Sequence, residues 1–364
     1  MRKSCLKYPV EFIEDIFGET PKTAEILKTV TGAENPRILL VADMNVVQRT
    51  DGLGTKIGRY VQANGLVLAG SPVVIAGGEK IKLDGGVSAM RVVDAALQTC
   101  LGKNDCLLAI GGGTLLDIAG YAAAQVRGGV PVVRLPTTPA AMVDAAFAEW
   151  AALDTLDVKD ALRVPSVPAA VLIDVLFAKS VLDGVWRSGM GEAVRLAAAS
   201  DASYAKKLAE LVEPYRNRDI EALRSVVEGA VAVRAKKGAN DFAAWAAARL
   251  EPMSAYKLPH GYAVPLSLAV ELGYSVEKGL LKPADAELLR GILSGCGALD
   301  GLAHSQHLLG QTASVLAGLD EHRMETGLET ITCLAGLGKT VEDVPDRAAY
   351  EKTLKGLQTV PKSA

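Results

Sequence analysis

The first half of the chain alternates short unbroken apolar runs with stretches that repeat at helical spacing. "RILLVAD" at 37–43 precedes a helical stretch at 54–63, and "PVVIAG" at 72–77 precedes one at 87–101. "CLLAI" at 106–110 precedes another at 114–126, and "VPVVRL" follows at 130–135. Runs this short and β-branched predict buried strands, and strands separated by helices predict parallel β-α-β units. "AAVLID" at 169–174 reads as the last strand of this half. After Asp174 the spacing turns helical, through "SGMGEAVRLAAASDASYAKKLAELV", "IEALRSVVEGAVAVRAKKG" and "PLSLAVELGYSVEKGLL". The pattern predicts an α/β domain over residues 1–175 and an all-helical domain over 176–364. "LETITCLAGLGKT" leaves room for a short strand pair before a final helix at 346–357.

Composition narrows the partners. At 364 residues the chain exceeds the size at which one core keeps growing, in keeping with two domains. Apolar residues at 49% and charged residues at 22% exclude extended disorder. A net charge of -3 without any basic block gives nucleic acid no electrostatic footing, so a small-molecule partner is expected. Glu11, Glu14 and Asp15 interrupt what would have to be the apolar core of a signal peptide, and no run suits a membrane span. A cytoplasmic protein is therefore expected. The five cysteines are odd in number and lack C-x-x-C spacing, which argues against a disulfide framework or a cysteine zinc site and for buried thiols.

Three loops carry candidate chemistry. In "AIGGGTLLDIAG", Gly111, Gly112 and Gly113 lie between a strand and a helix, where missing side chains let backbone N–H groups approach a phosphate. The same triplet also suits a plain tight turn. "AGGEKIK" brings Gly77, Gly78, Glu79 and Lys82 after one strand, and "LPTTPAAMVDAAFA" brings Thr137, Thr138 and Asp144 after another. In an open parallel sheet all three loops reach the carboxyl ends of strands, where such folds bind ligands. His260, one of four histidines, opens the apolar run "HGYAVPLSLAV". It suits either a metal ligand or a helix N-cap.

"GGEKIK", "IGGGTLLDIAGYAAAQVRGGVPVVRLPTT", "VD" at 143–144, "SGMGEAVRLA" and "LPHGYAV" resemble, in order, the motifs of the 3-dehydroquinate synthase family within the sugar phosphate cyclases. The resemblance extends to members that make 2-epi-5-epi-valiolone-type products. It implies a dehydroquinate synthase-like fold, in which a Rossmann-like domain binds NAD and a helical domain holds zinc or cobalt. A phosphorylated seven-carbon sugar would be the substrate, with phosphate elimination and aldol closure as the reaction, in a homodimer. Matched position by position, the cofactor residues are Asp43, Gly78, Glu79, Lys82, Gly112, Gly113, Asp117, Thr137, Thr138, Asp144, Lys159 and Lys179. The metal ligands are Glu192 and His260, and the catalytic set is Lys159, Arg195 and His260.

The helical half departs from the family. Its "GH-x-x-GHA-x-E" stretch reads "FAAWAAARLEPM" here, and counting back from His260 puts Ala243 and Ala247 at the histidine positions. No histidine precedes residue 260, so an expected third ligand is missing. Asp241 is a candidate substitute, and His304 with His307 a candidate pair on one helical face. Trp150 stands where the family has a lysine, and Arg195 replaces another lysine with altered donor geometry. Two further functions stay open: a catalytically degenerate member that binds NAD or a partner, and a polyol or glycerol-phosphate dehydrogenase-like oxidoreductase.

Overall fold

A computed structural model describes residues 5–300 and 302–358, leaving aside the side chains of 302–304 and 306. The His304–His307 pair therefore lies outside the described residues. The chain divides into two compact units: Lys7–Leu182, and Asp183 onward together with the first residues of the chain. The division falls seven residues beyond 175. The 3-10 turn Val175–Ser180 continues directly from the last strand, and its cap Asp174 also accepts the amide of Ile16 at 3.2 Å.

In the first unit the strands are β1 (Val10–Phe12), β2 (Arg37–Asp43), β3 (Val67–Leu68), β4 (Val73–Ile75), β5 (Cys106–Gly111), β6 (Val132–Pro136), β7 (Trp150–Thr155), β8 (Val158–Pro165) and β9 (Ala170–Ile173). The sheet order is β1-β9-β6-β5-β2-β3, every pairing is parallel, and β4 continues along β2 beyond β3. The central strands β5, β6 and β9 are buried throughout, as expected where helices cover both faces of a parallel sheet. From β2 the chain runs outward to β3 and β4, then returns to β5 on the other side of β2. That reversal creates a switch point at the carboxyl ends of β2 and β5, Asp43 and Gly111.

The hairpin β7–β8 stands off this sheet and had no counterpart in the sequence pattern. Its two-residue turn is Leu156–Asp157, at φ of 51° and 58°. Such turns normally announce themselves as Asn-Gly or Asp-Gly, and leucine at positive φ carries no such signal.

The second unit is helical with one hairpin, Ile331–Gly336 against Lys339–Asp343, where the sequence left room for a strand pair. Two helices at its centre, Asp183–Ser200 and His260–Glu277, approach closely. A Cβ on Gly261 would lie 2.5 Å from Ser188 Cβ, and one on Gly191 would lie 3.0 Å from Pro265. Glycine at these crossings lets the backbones meet and brings Glu192 level with His260. The helix Ala244–Met253 is tied to the same core through Glu271 Oε1, which accepts Trp245 Nε1 at 2.6 Å and the Tyr350 hydroxyl at 2.7 Å. Burial pushes the Glu271 carboxyl up to about 7, although both donors oppose the shift.

Among the described residues no helix is long and apolar enough to cross a membrane. Cys106, Cys296 and Cys333 are buried free thiols, whereas Cys5 and Cys100 are exposed, contrary to the expectation of five buried thiols. Cys100 lies in the turn after the helix Val87–Gln98 at φ 52°, which leaves it outside the packed face.

Candidate functional site

The cofactor candidates of the first unit gather at the switch point. Asp43 ends β2 and caps the next helix, its Oδ1 accepting the Asn45 amide at 2.7 Å. Gly112 is the N-cap of the helix Gly113–Gln125, whose first amides have no intrahelical acceptor. A Cβ on Gly112 would meet Thr138 Cγ2 at 3.1 Å, and one on Gly113 would meet the Ala145 Cβ at 3.1 Å. Thr138 caps the short helix Pro139–Val143, and Asp144 follows that helix. Thr137 is 1% exposed and its hydroxyl has no hydrogen-bond partner. An orphaned buried hydroxyl beside a helix N-terminus fits a ligand that brings hydrogen-bonding oxygens, such as a dinucleotide.

Beside these lies an ion-pair cluster. Lys82 Nζ, 1% exposed, lies 3.2 Å from Glu79, 3.0 Å from Asp117, 3.4 Å from Asp154 and 2.5 Å from Asp160. Glu79 also accepts Lys159 Nζ at 2.6 Å and the Thr114 hydroxyl at 2.6 Å. Burial would lower Lys82, but four carboxylates hold its ammonium well above the usual range. Burial would raise Glu79, but Lys159 and Lys82 keep it strongly depressed. With four acids and two ammonium groups the cluster is over-supplied with negative charge. Asp117 registers this: loss of water pushes its carboxyl up to about 6, against the pull of Lys82, with the neighbouring carboxylates adding to the rise. Carboxylates of Glu79, Asp154 and Asp160 converge within 4.8 Å, the spacing of a cation site. Lys82 already stands among them as that cation. Lys179 is exposed on the turn after β9.

The sequence reading missed Asp154 and Asp160, which reach Lys82 from the hairpin β7–β8. Asp160 does so at φ 53°, a left-handed strain of the kind that collects at functional sites. Its only sequence signal was adjacency to Lys159. Trp150 begins β7, with the Arg163 guanidinium 4.5 Å above its ring.

In the second unit Glu192 and His260 meet. His260 Nε2 lies 2.9 Å from Glu192 Oε1, and His260 Nδ1 lies 2.8 Å from Glu251 Oε1. Glu192 Oε2 accepts Arg195 Nε at 2.8 Å, while Arg195 Nη1 donates to the Asn240 carbonyl at 3.0 Å. Burial would raise Glu192, but Arg195 and then His260 keep it far below the usual carboxylate range. His260 is the first residue of its helix and Pro259 is the N-cap, so the capping alternative for His260 falls.

A neutral imidazole cannot donate from both nitrogens, so the two carboxylates facing His260 require a second positive centre, a proton or a metal ion. The donor set fits a divalent cation in part: one carboxylate and one imidazole converge, and a buried carboxylate orients the ring. Asp241 does not join them; it is exposed and its Oδ1 accepts the Thr332 hydroxyl at 2.6 Å. Ala243 precedes the helix at φ 61°, and its carbonyl accepts the Ser267 hydroxyl. Anchoring the family stretch on Glu251, which bonds His260, moves the two histidine positions to Ala244 and Ala248. These share the helical face of Glu251 at i, i+4 and i+7.

A parallel sheet with a switch point at Asp43 and Gly111, followed by a helical unit with a carboxylate–histidine pair, defines an α/β protein with a candidate ligand site and a candidate metal centre. Residues 72–187 match the family described as 3-dehydroquinate synthase N-terminal. The 3-dehydroquinate synthase of Pseudarthrobacter chlorophenolicus is 31% identical over 208 residues, which cover 54% of this chain and 57% of that enzyme. The chain thus spans little more than half the length of that relative. The 2-epi-5-epi-valiolone synthase ValA of Streptomyces hygroscopicus, solved with NAD+ and Zn2+, superposes with a TM-score of 0.80 at 21% identity over 96% of both chains. A 2-deoxy-scyllo-inosose synthase, solved with carbaglucose-6-phosphate, NAD+ and Co2+, superposes with a TM-score of 0.78 at 15% identity over 98% of this chain and 99% of that one. In sequence the chain is similar to 3-dehydroquinate synthases, and its fold is that of the sugar phosphate cyclases ValA and 2-deoxy-scyllo-inosose synthase.

Proposed function

We propose that the chain is an NAD-dependent sugar phosphate cyclase that eliminates phosphate from a seven-carbon sugar phosphate and closes the ring by intramolecular aldol addition. The observation that carries this reading is the assembly at the switch point: the Gly112–Gly113 helix start, the unpartnered Thr137 hydroxyl and the Glu79–Lys82–Lys159 cluster. The amides at Gly113 and the hydroxyls of Thr137 and Thr138 bind and orient a pyrophosphate. Glu79 and Asp117, held in place by Lys82, accept from ribose hydroxyls. Bound NAD supplies reversible hydride acceptance, which acidifies the neighbouring C–H of a substrate alcohol. Glu192 and His260 are the residues that would hold a divalent metal, zinc or cobalt, whose contribution would be Lewis acidity toward a substrate oxygen. Arg195 holds the Glu192 carboxylate through its Nε, and its Nη groups give the site a fixed positive charge.

The test is inorganic phosphate release from 3-deoxy-arabino-heptulosonate 7-phosphate and from sedoheptulose 7-phosphate, with NAD and with zinc or cobalt in excess. Release from one of them is expected. A second reading, an NAD-binding member without cyclase chemistry, draws on the donor set: two of three family ligands, with Arg195 already paired to one of them. NAD-induced thermal stabilisation without phosphate from either substrate selects it.

A further inference from the structure

We propose that Glu251 is the positioning residue for His260: its buried carboxylate holds Nδ1–H, fixes the ring, and presents Nε2 to Glu192. The inference rests on the metal-site reading above for its purpose but not for its geometry.

Three independent features of the chain support it. Glu251 is 1% exposed, and its Oε1 lies within hydrogen-bond distance of His260 Nδ1, at 2.8 Å. It also lies in the last turn of the helix Ala244–Met253, where the helix dipole repels an anion. A buried acid at a helix C-terminus is disfavoured twice, by desolvation and by the dipole, so a donor must be satisfied there for the residue to be tolerated. His260 Nδ1 is that donor. Third, the link between them is strained: Ala255 and Tyr256 follow one another at φ of 52° and 55°, neither being glycine. These consecutive left-handed residues reverse the chain within the nine positions that separate Glu251 from His260. Strain of this kind persists where the surrounding structure over-determines it, commonly around functional groups.

The consequence concerns His260 Nε2. With Nδ1 bearing the proton, Nε2 in the neutral ring carries only a lone pair, and it faces Glu192 Oε1 at 2.9 Å. Two acceptors at that separation need a cation between them. Ligand atoms on a tetrahedral zinc ion lie about 3.3 Å apart, close to the spacing already in place. Glu251 therefore sets both the tautomer and the aim of the ring, the arrangement by which ligating histidines are usually tuned. Glu192 is held from its other side by Arg195, so the pair is constrained from both ends.

The experiment uses the full chain saturated with NAD and free of metal. Two-bond imidazole 1H–15N spectra at mildly alkaline pH read the protonated nitrogen of each of the four histidines, with His260 assigned by its loss in His260→Gln. In the wild-type chain His260 is expected to keep its proton on Nδ1, and in Glu251→Ala to revert to the Nε2–H form of free imidazole. A wild-type proton on Nε2 alone overturns the proposal without any variant, as does an unchanged tautomer in a folded Glu251→Ala chain. Titration with zinc alone then reads purpose: affinity should fall about 10- to 100-fold in Glu251→Ala, and by less in Glu251→Gln, which keeps an acceptor oxygen. Equal zinc affinity in wild type and Glu251→Ala removes the metal-tuning role. If the wild-type chain binds no zinc while the tautomer still shifts, the metal reading fails and the positioning role stands.

Discussion

The two units bury carboxylates by different means. In the α/β unit, Glu79, Asp117, Asp154 and Asp160 from three separate segments converge on one ammonium group, Lys82 Nζ. In the helical unit, Glu192 relies on a guanidinium and an imidazole, and Glu271 accepts from neutral donors, Trp245 and Tyr350. The first arrangement supplies its own cations, Lys82 and Lys159, although its four acids still outnumber them. The second leaves the Nε2–Oε1 contact of His260 and Glu192 dependent on a proton or a metal ion. Built-in ammonium groups on the cofactor side and an open demand for charge on the other are what the comparison teaches.

Removing Lys82 attacks the first arrangement where it is strongest. Lys82→Met leaves carboxylates buried without compensation, with an expected loss of about 3–5 kcal/mol in urea unfolding, together with loss of NAD-induced stabilisation. A loss under about 1 kcal/mol would mean that the cluster admits water and that its charges are screened.

Glu271 tests the second arrangement by pH. Its folded-state value, up to about 7, lies above the usual carboxyl value, so the folded chain binds the extra proton between them. Its contribution is therefore present at acid pH and fades as pH climbs toward neutrality, by about 3 kcal/mol at most. The difference in urea midpoint between wild type and Glu271→Gln should change in that sense from pH 5 to pH 8. A constant difference would mean that Glu271 is ionised throughout and finds a cation.

The smallest effect sharpens the placement of the missing ligand. Ala248→His or Ala244→His, on the Glu251 face, should raise zinc affinity by about tenfold, about 1.4 kcal/mol. Ala243→His should not, because Ala243 is a left-handed residue before the helix, with its carbonyl held by Ser267. Gain at Ala243 instead would restore the count made back from His260.

Legibility followed locality. β2 and β5 were readable because burial on both faces of a parallel sheet leaves an uninterrupted apolar run, and Gly112–Gly113 were readable because a strand-to-helix turn needs small residues there. The hairpin β7–β8 was not, since its turn is Leu156–Asp157 and β8 is a largely exposed strand of mixed polarity. With it went Asp154 and Asp160. Glu251 lay in plain view nine residues before His260, yet its importance depends on a chain reversal at Ala255 and Tyr256 that no local propensity favours.

By itself, then, the sequence determined the alternation of buried strands and helices and the glycine-rich helix start, because each rests on short-range pattern, and it singled out His260 by side-chain type, whereas Glu192 was singled out only by the resemblance of "SGMGEAVRLA". Tertiary structure alone decided which acids surround Lys82, that Arg195 clamps Glu192, that Asp241 is spent on Thr332, and that Glu251 aims the histidine. Those pairings join residues brought together by strand order, helix crossings and strained turns. A charge is placed by whatever the fold sets beside it, and that neighbour is rarely near in sequence.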